Sequence, residues 1–245
     1  MTDAVRSELL KACTTRAWYV YLAALVLLAG LTTAAVVAST SGSDSSERLH
    51  ADLIETLAVA GLLAIVFGIT HVTAEFRHGT ITPTVLATPR RERVLAAKAV
   101  AVAVISSAFA LVALVTIAAV ALPWRGSDIH LADAELATSA VEAVGGVVLA
   151  GLLGLAIGSV VHGQVAALVG TLVWFFLVEA IAIGLLGLAD LDGVGPYLPF
   201  QALDAADGTG GGDLLSYGAG LAVSVAWIAA VGTVGVVRTV RRDLT

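Results

Sequence analysis

Residues able to do chemistry are few in this chain and lie in two places. The first is the stretch from Ala74 to Lys98, AEFRHGTITPTVLATPRRERVLAAK, with Arg77, Arg90, Arg91, Arg93 and Lys98 among the chain's 13 Lys and Arg. A segment so basic, punctuated by Pro83 and Pro89, cannot lie in lipid. Its charge places it on the cytoplasmic side, within reach of a soluble partner. The second is Glu179, the one acid well inside an apolar run. A central acid costs roughly 2.5–3.5 kcal/mol to insert, so it must face the bundle interior, a partner or water. It is either part of a substrate or ion pathway or a structural carboxyl bonded to a neighbouring helix. One acid without an intramembrane Lys, Arg or second acid is too little for a proton relay.

The remaining candidates are weaker. His71 and His78 have no further Cys, His or acid at ligand spacing and are read as structural or solvated, not as a metal site. The single Cys13 excludes a disulfide framework within the chain and is expected to pack as a small apolar residue. No GxxxxGK[ST] occurs, since neither Lys11 nor Lys98 follows a glycine, and GxSxG, HExxH and CxxC are absent. The chain is therefore expected not to be an enzyme, to hold no cofactor or metal, and to have no nucleic-acid partner. Energy, if used, comes from elsewhere.

The elements that position these residues are apolar. Of 245 residues, 58% are hydrophobic and 13% charged, with a mean hydropathy of +0.96; a soluble domain of this size needs a more charged surface. Six stretches reach the roughly 20 apolar residues that cross a bilayer as helix: Trp18–Ala38, Thr56–Ala74, Ala99–Leu122, Ala143–Val161, Val165–Ala189 and Leu214–Val237. They are continuous runs, unlike the alternating strands of a barrel. The first is too long for a signal-peptide core of about 7–15 residues. An even number of spans puts both termini on one side. Arg6, Lys11, Arg16, Arg238, Arg241, Arg242 and the bases of the 75–98 hinge then share that side, against Arg48 and Arg125 opposite. The positive-inside bias makes it the cytoplasm, whereas Asp44, Asp52, Asp128, Asp190, Asp204, Asp207 and Asp213 fall in outside loops.

Residues 2–17 read as an amphipathic interfacial helix, with Val5, Leu9 and Cys13 recurring every four residues and the bases towards headgroups. The Ser-rich first loop, Ser39 to Leu53, reads as a solvated connection. In the hinge, Glu75 ends the second span and Gly79-Thr80 breaks it; Thr82 can cap a short helix with Pro83 at its first position. Val85 and Leu86 give that helix an apolar side, Pro89 stops it, and Arg90, Arg91 and Arg93 lead back to the third span. A plain inside loop needs only about two to six residues, so a hinge of this length with its own capped helix reads as a docking knob. In the fourth span, Gly146, Ala150, Gly154 and Gly158 form a small-residue seam for another helix, within the chain or across a dimer.

Glu75-Phe76-Arg77-His78-Gly79-Thr80-Ile81, then Leu86-Ala87-Thr88-Pro89-Arg90-Arg91 with Arg93-Val94-Leu95 and Ala97-Lys98, resembles the permeases of type-2 ABC exporters in their compact six-span form. Ser7-Glu8-Leu9-Leu10-Lys11, Thr14-Thr15-Arg16, Trp174 with Glu179, and Tyr197-Leu198-Pro199-Phe200 extend the resemblance over the chain. It implies an all-α integral membrane protein: six transmembrane helices, an N-terminal interfacial helix and a cytoplasmic coupling helix, in one permease domain of a bacterial cytoplasmic membrane. It further implies two soluble ABC ATPase subunits, which bind ATP and Mg, and a second permease copy or related permease. Glu75, Arg77, Gly79 and Thr80 would belong to the coupling segment, and Arg90, Arg91 and Arg93 to its return. Pro83 departs from the family pattern and leaves the helix start open. The cargo would be an amphipathic small molecule, lipid or peptide moved outward. The alternatives are an ATPase-independent secondary transporter or channel, which predicts paired intramembrane charges or inverted repeats, and a non-transporting scaffold.

Overall fold

The computed structural model describes residues 2–40, 46–77, 91–126, 129, 134–161, 163–208 and 214–241. Ten α-helices are described: α1 (Thr2–Thr14), α2 (Arg16–Ser39), α3 (Ser46–Glu55), α4 (Ala58–Arg77), α5 (Arg91–Arg125), α6 (Ala134–Val160), α7 (Gln164–Val173), α8 (Glu179–Leu188), α9 (Pro199–Ala206) and α10 (Tyr217–Arg241). A π turn, Trp174–Val178, joins α7 to α8, and a 3-10 turn, Asp192–Tyr197, precedes α9. Six helical stretches are long and apolar enough to cross a membrane: Arg16–Ser39, Arg48–Glu75, Val94–Arg125, Ala134–Val160, Gln164–Leu188 and Tyr217–Arg238. This is an all-helical, multi-pass membrane architecture.

The spans match the apolar runs, but several helices reach further than hydropathy alone indicates. Helix α5 starts at Arg91, eight residues before the expected span at Ala99, so its first turns carry Lys98 inward. Helix α6 likewise starts at Ala134 and not at Ala143. The first loop is not wholly a solvated connection. Within it, α3 buries Leu49 and Leu53, whose four-residue spacing puts them on one face, and runs through a tight turn at Thr56 into α4. The N-terminal helix ends at Thr14, where Thr15 is extended, and its buried face is Glu8 and Ala12. Cys13 is exposed and does not pack in the core.

Helix α6 is the axis of the bundle, packing on α4, α5, α9 and α10. Glycine allows this. A Cβ at Gly154 would run into the Ile65 backbone of α4, and one at Gly158 would lie 3.0 Å from the Ile69 carbonyl oxygen. Gly146 admits Asp207 just past α9, and Ala150 lies against Gly61. The predicted seam of Gly146, Ala150, Gly154 and Gly158 is thus filled within the chain. Because lipid offers helices no hydrophobic drive to associate, this close backbone approach supplies their contact energy. At one end, Trp18, Tyr21, Phe67 and Phe109 interlock α2, α4 and α5, with Tyr21 Oη 2.8 Å from Thr70 Oγ1.

Gly154→Val should lower the melting temperature of the purified protein in detergent, by an overpacking cost of about 1–3 kcal/mol. Gly184→Val, whose added carbon meets nothing within 4 Å, should leave it nearly unchanged.

Candidate functional site

Three helices meet at the end of the bundle that flanks residues 78–90. Helix α1 brings Glu8 and Lys11 on adjacent turns; α4 brings His71 and Glu75, four residues apart and so on one face; α5 brings Lys98. The charges alternate around a closed ring. Lys98 Nζ is 2.6 Å from Glu8 Oε2, Glu8 Oε1 is 2.7 Å from Lys11 Nζ, Lys11 Nζ is 3.0 Å from Glu75 Oε1, and Glu75 Oε1 is 2.8 Å from Lys98 Nζ. His71 Nε2 stands 3.2 Å from Glu8 Oε2 while its ring stacks on Phe67.

Glu8 and Lys98 are each only 2% exposed. Burying such charges is costly, and only good pairing offsets it. Burial opposes ionisation of Glu8, but its contacts with His71, Lys98 and Lys11 outweigh that and hold the carboxyl well below the usual carboxylate range. Burial also works against the Lys11 charge, and the bonds to Glu8 and Glu75 outweigh it and raise Lys11 above its ordinary value. The depressed acid contributes stability above its unfolded pKa of 4.5 and loses it only as pH falls further into acid. The raised ammonium contributes below its unfolded value of 10.5 and loses its share only in stronger base. Between those limits Glu8 and Lys11 both keep their charges.

The predicted hinge residues separate around this ring. Glu75 turns into it, whereas Arg77 is exposed and donates to Gln164 Oε1 at 3.3 Å, bridging α4 to the start of α7. Arg91 and Arg93 lie in the first turn of α5. Gly79, Thr80, Val85, Leu86 and Arg90, with the helix expected at Thr82 to Pro89, lie outside the described residues. Among those described, no group of three or more His, Cys, Asp or Glu is placed to hold a metal ion.

At the opposite end, Glu179 is 2% exposed and accepts the backbone N–H of Phe200 at 3.0 Å, with Gln201 N–H facing the same carboxyl. Those are the first free donors of α9, whose own N-cap residue, Leu198, makes no side-chain bond. The intramembrane acid is thus a cap supplied from another helix. The π turn just before it re-aims the chain, and Glu179 is the only buried residue of α8.

Sequence reasoning counted Lys98 among the bases of the hinge and Glu8 among the residues of the resemblance, but did not pair them. A usable signal existed for Lys98: it is a lone charge among Val94, Leu95, Ala101 and Val102, its neighbours on that face. Neither protein-family models nor curated proteins give a match to this sequence.

Lys98→Met should cost about 3–5 kcal/mol by stranding two buried carboxylates. Lys11→Met, at a side chain 44% exposed, should cost no more than about 1 kcal/mol. In a double-mutant cycle read by melting temperature, Glu8→Leu with Lys98→Met should lose less than the two single changes combined; strict additivity would mean the ring is not coupled. Glu179→Ala should speed amide hydrogen exchange at Phe200 and cost about 1–3 kcal/mol, and Glu179→Gln, which keeps an acceptor, should do less of both.

Proposed function

We propose that this chain is the membrane-spanning permease subunit of an ATP-driven exporter of the type-2 ABC kind, with both termini and the 78–90 segment on the cytoplasmic side. The observation that carries this reading is the ion ring. It fastens the last turn of α4 and the early turns of α5, the two helices flanking that segment, to each other and to the interfacial helix α1. A push on the segment therefore has no slack to take up at either root. It moves α4 and α5 as a unit, and α4 is seated along α6 by the glycine seam. A lever needs such a stiff mounting, and a plain connecting loop does not.

The motor is a pair of soluble ATPase subunits that bind ATP and Mg, since the sequence has no nucleotide-binding loop of its own. A second permease copy completes the pathway, and the cargo is an amphipathic molecule. Use of Glu179 as a helix cap weighs against an ion-driven transporter, which would need that acid free in a pathway.

Replacing both Val85 and Leu86 with Asp should abolish co-purification of the ATPase while leaving the permease melting temperature unchanged. Undiminished co-purification would remove the docking role of these residues.

A further inference from the structure

Between α4, α6, α7 and α9 lies a cavity of about 280 Å³, close to the lower end of the roughly 300–1,000 Å³ usual for small-molecule sites. Its walls are apolar, with Leu57, Ile65, Val147, Leu168 and Phe175 prominent, while Asp204 and Asp207 stand at the end nearest α9. We propose that this cavity binds a small amphipathic cation, its apolar body against these walls and its positive head at Asp204.

Charge complementarity selects this occupant over a neutral lipid chain. Asp204 is half-buried and has no ion pair with a Lys, Arg or His among the described residues. The charged groups that act on it are all acids: Asp207 at the end of α9, Glu179 of α8 and Glu55 of α3. Glu142 of α6 faces Gly208 just beyond, and Tyr217 of α10 lies by Gly145. The loop from 189 to 213 contributes no Lys or Arg, and Arg125 donates to the Thr40 carbonyl. The described residues thus hold a carboxyl against an apolar wall and place no Lys, Arg or His in an ion pair with it. Burial, and then the neighbouring acids, push Asp204 up to about 7. A bound cation favours the ionised form, so affinity should rise as pH passes upward through that value.

Naming this cation as cargo rests on the permease reading, but binding does not. It is therefore measured on the full chain alone, where failure of ATPase coupling would not register. The probe is radiolabelled octyltrimethylammonium, with the protein in zwitterionic nanodiscs. Saturable binding should strengthen from pH 6 to pH 8 and be displaced poorly by octanol or octyl sulfate. Asp204→Asn should weaken it about tenfold, as expected for loss of a partly desolvated ion pair, and flatten the pH dependence. Leu172→Trp, which fills the cavity from α7 and keeps both acids, should abolish it. Equal displacement by octanol would assign the cavity to a neutral lipid chain and overturn the proposal. So would unchanged binding in either variant, or a wild-type pH profile that is flat.

Discussion

Everything at the hinge end of this protein depends on one constraint: Glu8 and Lys98 cannot be buried separately. An isolated carboxylate or ammonium in a low-dielectric interior is far too costly, and these two are tolerated because they lie 2.6 Å apart with Lys11 and Glu75 beside them. Once that pair forms, α1 must lie against the root of α5. Glu75 and Lys11 then close the ring and bring in the end of α4. Hydrophobic contact alone would let an interfacial helix slide along the bundle, since it is non-directional. Charge pairing with defined partners fixes both its position and its rotation.

Along the bundle the governing term changes from charge to shape. The contact of α4 with α6 runs through Gly154 and Gly158 on one side and backbone atoms of Ile65 and Ile69 on the other. The Val72 side chain packs against Gly158 as well. The two helices therefore behave as one body, anchored by ion pairs at one end and by α9 at the other. Glu179 is the counterpart of Glu8 there: a buried acid made affordable by a partner brought from a distant part of the chain, in this case the free N–H groups of α9.

The two ends differ in how they treat acid groups, and that difference has chemical meaning. Near the hinge, the buried carboxylates Glu8 and Glu75 each have lysine partners. Near α9, Glu179 has backbone donors, while Asp204 faces other carboxylates beside an apolar cavity. Among the described residues, Asp204 lacks the basic partner that Glu8 and Glu75 have at the other end.

The spans, and therefore the all-helical membrane class, were legible from apolar runs of about 20 residues, because in lipid every backbone polar group must be satisfied within its own helix. The glycine seam was legible as spacing, but not its occupant, since a bare groove accepts any helix. Cys13 and α3 were misjudged for related reasons. The turn at Thr15 and the pull of Lys98 on Glu8 set the face of α1 away from the Val5–Leu9–Cys13 stripe, and the loop's polar composition hid the Leu49–Leu53 face. The helical reach of α5 back to Arg91 was hidden because Lys98 looks like an end of a span until its partners are known. Local composition thus determined which segments cross the membrane. Only the tertiary structure decided which charges meet, because an ion pair spanning 90 positions of sequence is set by three-dimensional proximity and leaves no periodic trace in the chain.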